Sequence, residues 1–298
     1  MSPYQIHGLK EKLTLGKFVT TVELEPPKGA NPMPVLEKAA FLKGYVDGVN
    51  IADSPMATLR MSPIALAHII QQDMGVEAIF HLTCRDRNVI GLQSELLGAA
   101  ALSVRNILTL TGDQPSRGDH PDARGIYEVD SIGLAQLAKQ LNEGYDSTGH
   151  SLNSPTQFFI GAAANPGADD LEIEIAKLKR KVENGVHFVQ TQPVFERSQV
   201  ERYLELTKDL PIHIIFGILP LKSGKMARYL DQKVPGIHIS EDNITKVEQG
   251  GRKAGIEVAQ QLIEVMKPMV QGIHIYPIGD LTMVSDLLEI PRSISKVV

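Results

Sequence analysis

Residues 157–191 read QFFIGAAANPGADDLEIEIAKLKRKVENGVHFVQT and contain one complete strand–helix–strand unit. The apolar run 157–163 predicts a buried strand, and the run 188–191 predicts a second one. Between them, residues 169–183 repeat apolar side chains at helical spacing, in the stripe Leu171, Ile175, Leu178 and Val182. Asn184-Gly185 then supplies a helix stop. This order predicts two parallel strands joined by a crossover helix.

The same unit recurs along the chain. Short apolar runs, most of them ending in a polar residue, lie at 18–25, 48–52, 78–83, 106–111, 157–163, 188–191, 212–218 and 272–276. Most of these runs are continuously apolar, as expected for parallel strands that helices cover. Eight such strands favour a closed (β/α)8 TIM barrel of the α/β class over an open doubly wound sheet, in which five or six strands are commoner.

The spacing between successive strands is longer at two places. We expect insertions there, as extended loops at about 114–130 and 221–270. The first is rich in turn residues and contains two arginines, and a loop that follows a barrel strand lies on the catalytic face. No shift in composition indicates a second domain, so we expect a single barrel domain over residues 1–298.

Composition excludes several classes of protein. The 298 residues carry 30 basic and 35 acidic side chains, a net charge of −5, which gives no reason to expect nucleic acid or an anionic membrane as partner. Residues 1–15 do not resemble a signal peptide, and no apolar run is long enough to span a bilayer. Cys84 is the only cysteine, which excludes an internal disulfide. We therefore expect a cytoplasmic protein.

Polar residues that end the predicted strands are the candidates for chemistry, because barrel active sites form at the carboxyl ends of strands. Three of the first four strands end with carboxylates, among them Glu23, Asp53 and Asp113. Other motifs fail: the glycines before Lys225 have the wrong spacing for a phosphate loop, and residues 161–167 lack the dinucleotide fingerprint. His81 and Cys84 would point to opposite faces of a strand, so we expect no metal site there.

The strand ends, taken in order, resemble the methylenetetrahydrofolate reductase family, in its bacterial-type catalytic flavoprotein module. The resemblance covers about residues 18–276 and is carried by Val22-Glu23-Leu-Glu-Pro-Pro27, His81-Leu-Thr-Cys-Arg-Asp86, Leu110-Thr-Gly-Asp113, Leu178-Lys-Arg-Lys181, Thr191-Gln192 and Gly217-Ile-Leu-Pro220. It implies a barrel that holds a flavin, FAD or alternatively FMN, and that reduces 5,10-methylenetetrahydrofolate to 5-methyltetrahydrofolate in one-carbon metabolism.

The resemblance assigns the catalytic roles to two carboxylates. Glu23 matches the general acid that protonates N10 of the folate, which opens the five-membered ring to a 5-iminium ion able to accept hydride from N5 of the reduced flavin. The alternative is that Glu23 is structural and Glu25 is the functional acid. Asp113 matches the aspartate near the flavin pyrimidine and the pterin, and Gln192 matches the glutamine that pairs with the pterin. Either could instead serve a turn or a loop.

The resemblance also implies a set of flavin-binding residues. In addition to Asp113 they are Asn50, His81, Thr111, Gly112, Tyr127, Asn165, Arg180 and Lys181. Gly112 would let the backbone approach the flavin ring, and cations such as Lys181 would bind its phosphate. Arg180 could equally belong to an ordinary solvated helix face. Thr111 and Asn165 depart from the arginine and tyrosine common in the best-known bacterial enzymes, which weakens the expectation for the adenine half of FAD.

The electron donor is open at this stage. Simple counting places Met226 and Leu230 where those enzymes have a glutamine for substrate and a phenylalanine that stacks on nicotinamide, although Tyr229 is adjacent. The resemblance therefore implies NAD(P)H or an electron-donating partner subunit, and we expect an oligomer. Two other functions remain open: a folate-binding barrel methyltransferase, which needs no flavin, and a non-catalytic subunit that retains the fold.

Overall fold

The computed structural model describes residues 8–291, in which eight parallel strands pair in chain order. They are β1 (Val19–Leu24), β2 (Gly48–Ile51), β3 (Ala78–Thr83), β4 (Asn106–Leu110), β5 (Phe159–Ala164), β6 (Phe188–Pro193), β7 (His213–Ile218) and β8 (Gly272–Ile275). The sheet closes because β1 pairs with both β2 and β8. The predicted (β/α)8 barrel is confirmed, and no strand end differs from the sequence prediction by more than two residues.

Ten α-helices accompany these strands in the described range. They are α1 (Leu9–Thr14), α2 (Met33–Leu42), α3 (Pro63–Ile69), α4 (Val89–Ala101), α5 (Ser131–Asn142), α6 (Leu171–Glu183), α7 (Arg197–Thr207), α8 (Gly224–Lys233), α9 (Glu241–Met266) and α10 (Leu281–Leu287). The predicted helix at 169–183 is α6, which Asp170 caps by accepting a hydrogen bond from the Ile173 amide at 3.0 Å. None of the helices described here is both long and apolar enough to cross a membrane.

The two predicted insertions differ in structure. The segment 114–130 is irregular apart from a single 3-10 turn, as expected. The segment 221–270, expected as an extended loop, instead contains α8 and α9 and is largely helical. Ser223 and Ser240 cap these two helices through their side chains, a signal that marks helix starts in the sequence. The expectations for residues 1–7 and 292–298 lie outside the described residues.

The barrel is closed at its amino-terminal end by α1. Leu9 and Leu13 of this helix are fully buried against apolar side chains near the starts of the strands, such as Val19, Phe159 and Phe188. The Leu9 amide donates a hydrogen bond to Glu77 at 2.6 Å, which anchors the helix. Apolar side chains therefore fill the bottom of the barrel, and the polar residues of the interior begin one layer higher.

Candidate active site

Glu23 lies near the carboxyl end of β1, where the barrel opens. It pairs in register with Asn50 of β2 and is half-buried. Within residues 8–291, no group donates a hydrogen bond to its carboxyl. Burial, and secondarily the negative charge of Glu25, raise the pKa of Glu23 to about 7. This carboxyl can therefore hold and release a proton near neutral pH.

Glu25, two residues further along, is in a different electrostatic environment. Its carboxylate accepts a hydrogen bond from Arg60 Nε at 2.8 Å and a second one from Arg60 Nη2. About half of its side chain is exposed. Water and the Arg60 guanidinium both stabilise the negative charge of this carboxylate. Of the two carboxyls that the sequence leaves as candidates, Glu23 is the one suited to donate a proton.

Tyr276 forms a wall beside Glu23. Its hydroxyl donates a hydrogen bond to the Thr191 carbonyl at 2.9 Å, which links the end of β8 to β6. Its ring contacts the His274 ring edge-on, with centroids 4.5 Å apart. Burial, together with the nearby Glu23 charge, raises the pKa of Tyr276 well above its usual range. Tyr276 is therefore a neutral side chain that keeps water away from one side of Glu23.

A buried polar network forms the floor under this site. Asn50 Nδ2 donates to Gln190 Oε1 at 2.5 Å, and Gln190 Nε2 donates back to Asn50 Oδ1 at 3.0 Å. This paired amide crosses the barrel interior from β2 to β6. Asn50 Nδ2 also contacts His81 Nε2 at 3.0 Å, and Gln190 Nε2 donates to Thr21 Oγ1 at 3.0 Å. Thr21 Oγ1 in turn contacts His274 Nδ1 at 2.9 Å.

The two histidines of this network are neutral. Burial lowers the pKa of His81 to about 4 and that of His274 to about 3. Since the Asn50 amide nitrogen is a donor, His81 Nε2 accepts, and a proton there would oppose the amide hydrogens. The sequence prediction named Asn50 and His81 as flavin ligands. The structure places both in the buried interior, bonded to each other, and their contact with a cofactor stays a prediction.

The segment after β4 brings Thr111 and Gly112 to the rim of the barrel. Thr111 Oγ1 accepts a hydrogen bond from the Ser131 amide at 3.1 Å, which joins the strand end to the start of α5. Gly112 has a φ of 90°, and a Cβ atom there would lie 2.9 Å from Thr83 Cβ. Only glycine fits this position, because both the backbone angle and the space exclude a side chain.

Asp113 follows directly and projects toward solvent. Its carboxylate is 43% exposed and lies 3.8 Å from Arg117 Nη1. Tyr127 donates its hydroxyl proton to the Asp113 carbonyl at 2.6 Å and fixes this part of the loop. Gln192, at the end of β6, is also exposed, whereas both residues that flank it are buried. Asp113 and Gln192 are thus polar side chains available at the mouth.

Cationic and amide groups lie at the end of β5. Lys181 Nζ donates to the Ala163 carbonyl at 2.6 Å, and burial lowers the pKa of this half-buried lysine. Arg180 is exposed on α6. Asn165 Oδ1 accepts from the Gly167 amide at 3.0 Å and so shapes its own turn. Of these three predicted ligands, Lys181 has an ammonium with further hydrogens that could donate to a ligand near the mouth.

A cavity of about 520 Å³ opens next to Glu23. It lies between the segments that follow β1, β2 and β8, and its lining includes Glu25, Lys38, Arg60 and Ile278. The flavin ligands predicted outside the buried network, from Thr111 to Lys181, lie on the opposite side of the mouth, after β4 and β5. The structure therefore separates Glu23 and its cavity from most of the predicted cofactor ligands.

Several residues of the site were not found from the sequence. Gln190 and His274 lie inside runs read as apolar strands, and Lys38 resembles an ordinary surface lysine of a helix. Cys84 is buried, and burial raises the pKa of its thiol to about 12, so it is unreactive. Within residues 8–291, no cluster of His, Cys, Asp or Glu could hold a metal ion.

Comparison with known proteins identifies relatives. The family profile described as methylenetetrahydrofolate reductase matches residues 8–290. A probable methylenetetrahydrofolate reductase (NADPH) of Caenorhabditis elegans is 26% identical over 294 residues, which cover 90% of this chain and 41% of that protein. The 5,10-methylenetetrahydrofolate reductase of Salmonella typhimurium is 25% identical over 226 residues, covering 72% of this chain and 70% of that protein. The chain thus spans about two fifths of the nematode relative.

A solved structure gives independent support for the fold. It is an uncharacterized protein from Clostridium thermocellum that binds two copies of 5-methyl-5,6,7,8-tetrahydrofolic acid, with a TM-score of 0.64 at 13% identity. The alignment covers 97% of this chain and 99% of that one, and at this identity it shows the shared fold alone. The family profile, by contrast, covers the entire barrel with its strand-end residues. The chain therefore belongs to the methylenetetrahydrofolate reductase family.

Proposed function

We propose that this chain reduces 5,10-methylenetetrahydrofolate to 5-methyltetrahydrofolate, with a bound flavin as the hydride source and Glu23 as general acid. The observation that carries the proposal is the Glu23 carboxyl, unpaired within the described residues and with its pKa raised to about 7, at the mouth of the barrel. Membership of the family supports the substrate. From the composition we expect a cytoplasmic protein, and we also expect an oligomer.

Glu23 performs the proton transfer. Protonation of N10 breaks the bond between N10 and the bridging carbon, which leaves an iminium at N5 that can accept hydride. A carboxyl that loses its proton well below neutral pH could not protonate N10 at neutral pH. A carboxyl with a pKa of about 7 is half protonated at that pH and can donate the proton. Tyr276 covers one side of Glu23, and partial burial favours the protonated form of its carboxyl.

Asp113 and Gln192 orient the pterin. An exposed carboxylate accepts hydrogen bonds from the pterin amino group and ring N–H, and a glutamine amide can both donate and accept. A negative charge at Asp113 would also disfavour an anionic reduced flavin and thereby make it a stronger reductant. Because Glu23 comes from β1 and the other two residues come from the ends of β4 and β6, a pterin at the mouth could contact all three.

The groups after β4 and β5 fit a flavin. Lys181 has a half-buried ammonium with one backbone acceptor, and Arg180 is exposed beside it, which suits a phosphate. The loop after β4 also carries the exposed apolar side chain of Ile126, which suits a planar ring. When bound, the flavin would supply the hydride. We propose FAD, with FMN as the alternative.

Purified protein tests the proposal directly. We expect a yellow protein that absorbs near ~450 nm, as flavins do, and releases flavin on denaturation. Chemically reduced protein mixed with 5,10-methylenetetrahydrofolate should then be reoxidised in a single turnover, with 5-methyltetrahydrofolate as product. A colourless protein that neither FAD nor FMN reconstitutes would favour the methyltransferase or the non-catalytic subunit. A yellow protein that folate does not reoxidise would also contradict the proposal.

The electron donor carries a separate prediction. Met226 and Leu230 pack against an apolar cluster under α8, and Tyr229 is 62% exposed. Without an aromatic platform, worth about 1 kcal/mol beyond buried area, nicotinamide binds weakly. We expect the chain alone to oxidise NADH or NADPH slowly, and to work better with artificial carriers or a partner protein. Stopped-flow mixing of the oxidised flavoprotein with each nucleotide measures this, and rapid bleaching at micromolar nucleotide would overturn it.

A further inference from the structure

The cavity beside Glu23 contains a cation that has no partner in the described part of the chain. Lys38 of α2 lines this cavity and is half-buried. Within residues 8–291, no acceptor lies within hydrogen-bonding distance of its ammonium and no carboxylate lies within 4 Å. An ammonium that lines a cavity and has no carboxylate beside it is available to bind an anionic group of a ligand.

The other charges of the cavity do not neutralise Lys38. The Arg60 guanidinium is bonded to Glu25, and its remaining nitrogen donates to the Leu59 carbonyl at 3.2 Å. Glu23 carries little charge below neutral pH, because its pKa is raised to about 7. The cavity therefore has a net positive charge from Lys38 whenever Glu23 is protonated, and it attracts an anion.

The walls of the cavity suit an aromatic ring next to that anion. Pro55, Met56, Pro277 and Ile278 line it with apolar surface, and its volume of about 520 Å³ accommodates a ligand of moderate size. Met56 and Ile278 are 67% and 53% exposed, so their apolar side chains remain uncovered at the opening. Apolar walls with one charged group are typical of a site for an amphipathic ligand.

The chemical structure of the proposed folate substrate indicates which of its groups would occupy this cavity. N10 of a reduced folate is bonded directly to the aminobenzoyl ring, and the ring bears a glutamyl group with free carboxylates. If Glu23 donates its proton to N10, the ring must lie beside Glu23, and the glutamyl group must extend beyond it. We propose that the aminobenzoyl ring occupies this cavity and that Lys38 binds a carboxylate of the glutamyl tail. This inference rests on the proposed function.

A second anion could reach the same lysine. The phosphates of a pyridine nucleotide would also bind an ammonium, and the donor approaches the same mouth. The two candidate anions, a folate carboxylate and a nucleotide phosphate, predict different effects of replacing Lys38. A tail carboxylate makes folate affinity depend on Lys38, whereas a phosphate makes nucleotide affinity depend on it. The glutamyl tail is favoured because the cavity adjoins Glu23, the group that acts on the folate.

The test combines a charge change in the protein with one in the ligand. Binding of 5-methyltetrahydrofolate to the purified chain is measured by calorimetry, in parallel with its diamide, in which both tail carboxyls are amides. We expect Lys38→Gln to weaken folate binding by about tenfold, to the level of the diamide, and to leave diamide binding unchanged. Lys38→Arg should retain most of the affinity. Lys43→Gln, at the end of the same helix and outside the cavity, should bind both ligands like the wild type.

Three outcomes would overturn the inference. Equal weakening of folate and diamide by Lys38→Gln would mean that the lysine shapes the wall and recognises no charge. Unchanged folate binding with weaker NADPH binding would assign the site to the nucleotide phosphate. Unchanged binding of both folate and NADPH in Lys38→Gln would show that Lys38 binds neither ligand. Failure of the wild-type protein to bind folate at all would overturn the proposed function together with this inference, and it is distinguishable from the other results.

Discussion

Replacing Glu23 by glutamine is expected to slow hydride transfer to the folate by about 10²–10⁴-fold, the usual contribution of a positioned acid. Glutamine keeps the size and polarity of the side chain but cannot protonate N10. Flavin binding and flavin reduction by the donor should be nearly unchanged, because Glu23 acts only in the folate half-reaction. The measurement is a single turnover, in which pre-reduced protein is mixed with 5,10-methylenetetrahydrofolate and flavin reoxidation is followed.

Glu25→Gln provides the matched control. This side chain is two residues away and has the same chemistry, but its carboxylate is bonded to Arg60 and half exposed. We expect its folate half-reaction to fall by less than about tenfold, through altered charge near Glu23 and not through loss of the acid. A wild-type rate in Glu23→Gln would refute the assignment. A loss in Glu25→Gln as large as that in Glu23→Gln would move the acid to Glu25.

The raised pKa of Glu23 also fixes the direction of the pH dependence. The reactive form is protonated, and the pKa is raised to about 7, so the folate half-reaction should be fastest below neutral pH. Above pH 7 its rate should fall about tenfold per unit as the acid ionises. The slow residual rate of Glu23→Gln should not show this fall. A wild-type profile that is flat from pH 6 to 9 would be inconsistent with Glu23 as the proton donor.

The buried amide pair leads to the largest expected effect on stability. Gln190→Met removes both hydrogen bonds that Gln190 makes with Asn50, and it leaves the Asn50 amide partly unsatisfied in the barrel interior. Each buried polar group left without a partner costs about 1–3 kcal/mol, so we expect the free energy of unfolding to fall by about 3–5 kcal/mol. Urea denaturation measures this fall. Gln192→Met, on the same strand but exposed, should change stability by less than about 0.5 kcal/mol.

A double-mutant cycle identifies the cause. Asn50→Leu alone should destabilise the barrel as strongly as Gln190→Met alone, because each leaves its partner unpaired. The double variant removes both amides, so its loss should be smaller than the sum of the two by about 1–3 kcal/mol. Strictly additive losses would show that the two amides are not coupled, and that the destabilisation comes from packing alone.

The fold was predictable because its signal repeats. Each strand is a continuous apolar run, and each crossover carries helical periodicity, so eight weak indications combine into one architecture. The long spacing between β7 and β8 predicts an insertion at 221–270, but spacing alone does not predict that this segment folds into α8 and α9. Their capping serines, Ser223 and Ser240, carried the missing information.

The site was predictable only in part. The position of Glu23 follows from the strand ends. What distinguishes Glu23 from Glu25 as the proton donor is the hydrogen bond from Arg60 to Glu25, and Arg60 is 35 residues away from Glu25 in sequence. The polar network under the site depends on the pairing of Asn50 with Gln190 across the barrel. No local sequence pattern predicts a contact between residues so far apart in the chain. Lys38 is on an amphipathic helix, where a lysine normally faces solvent. These features depend on distances that exist only after the barrel has closed.

The helix that closes the bottom of the barrel has a consequence for synthesis. Leu9 and Leu13 leave the ribosome before the barrel strands, yet their packing partners include Phe188 and Ile215. Those partners are translated about 200 residues later, a delay of roughly 10–40 s at typical elongation rates. During this time the nascent chain exposes two leucines whose packing site is incomplete. Ribosome-associated chaperones are thus expected to bind the first helix, and to release it only after the seventh strand has emerged.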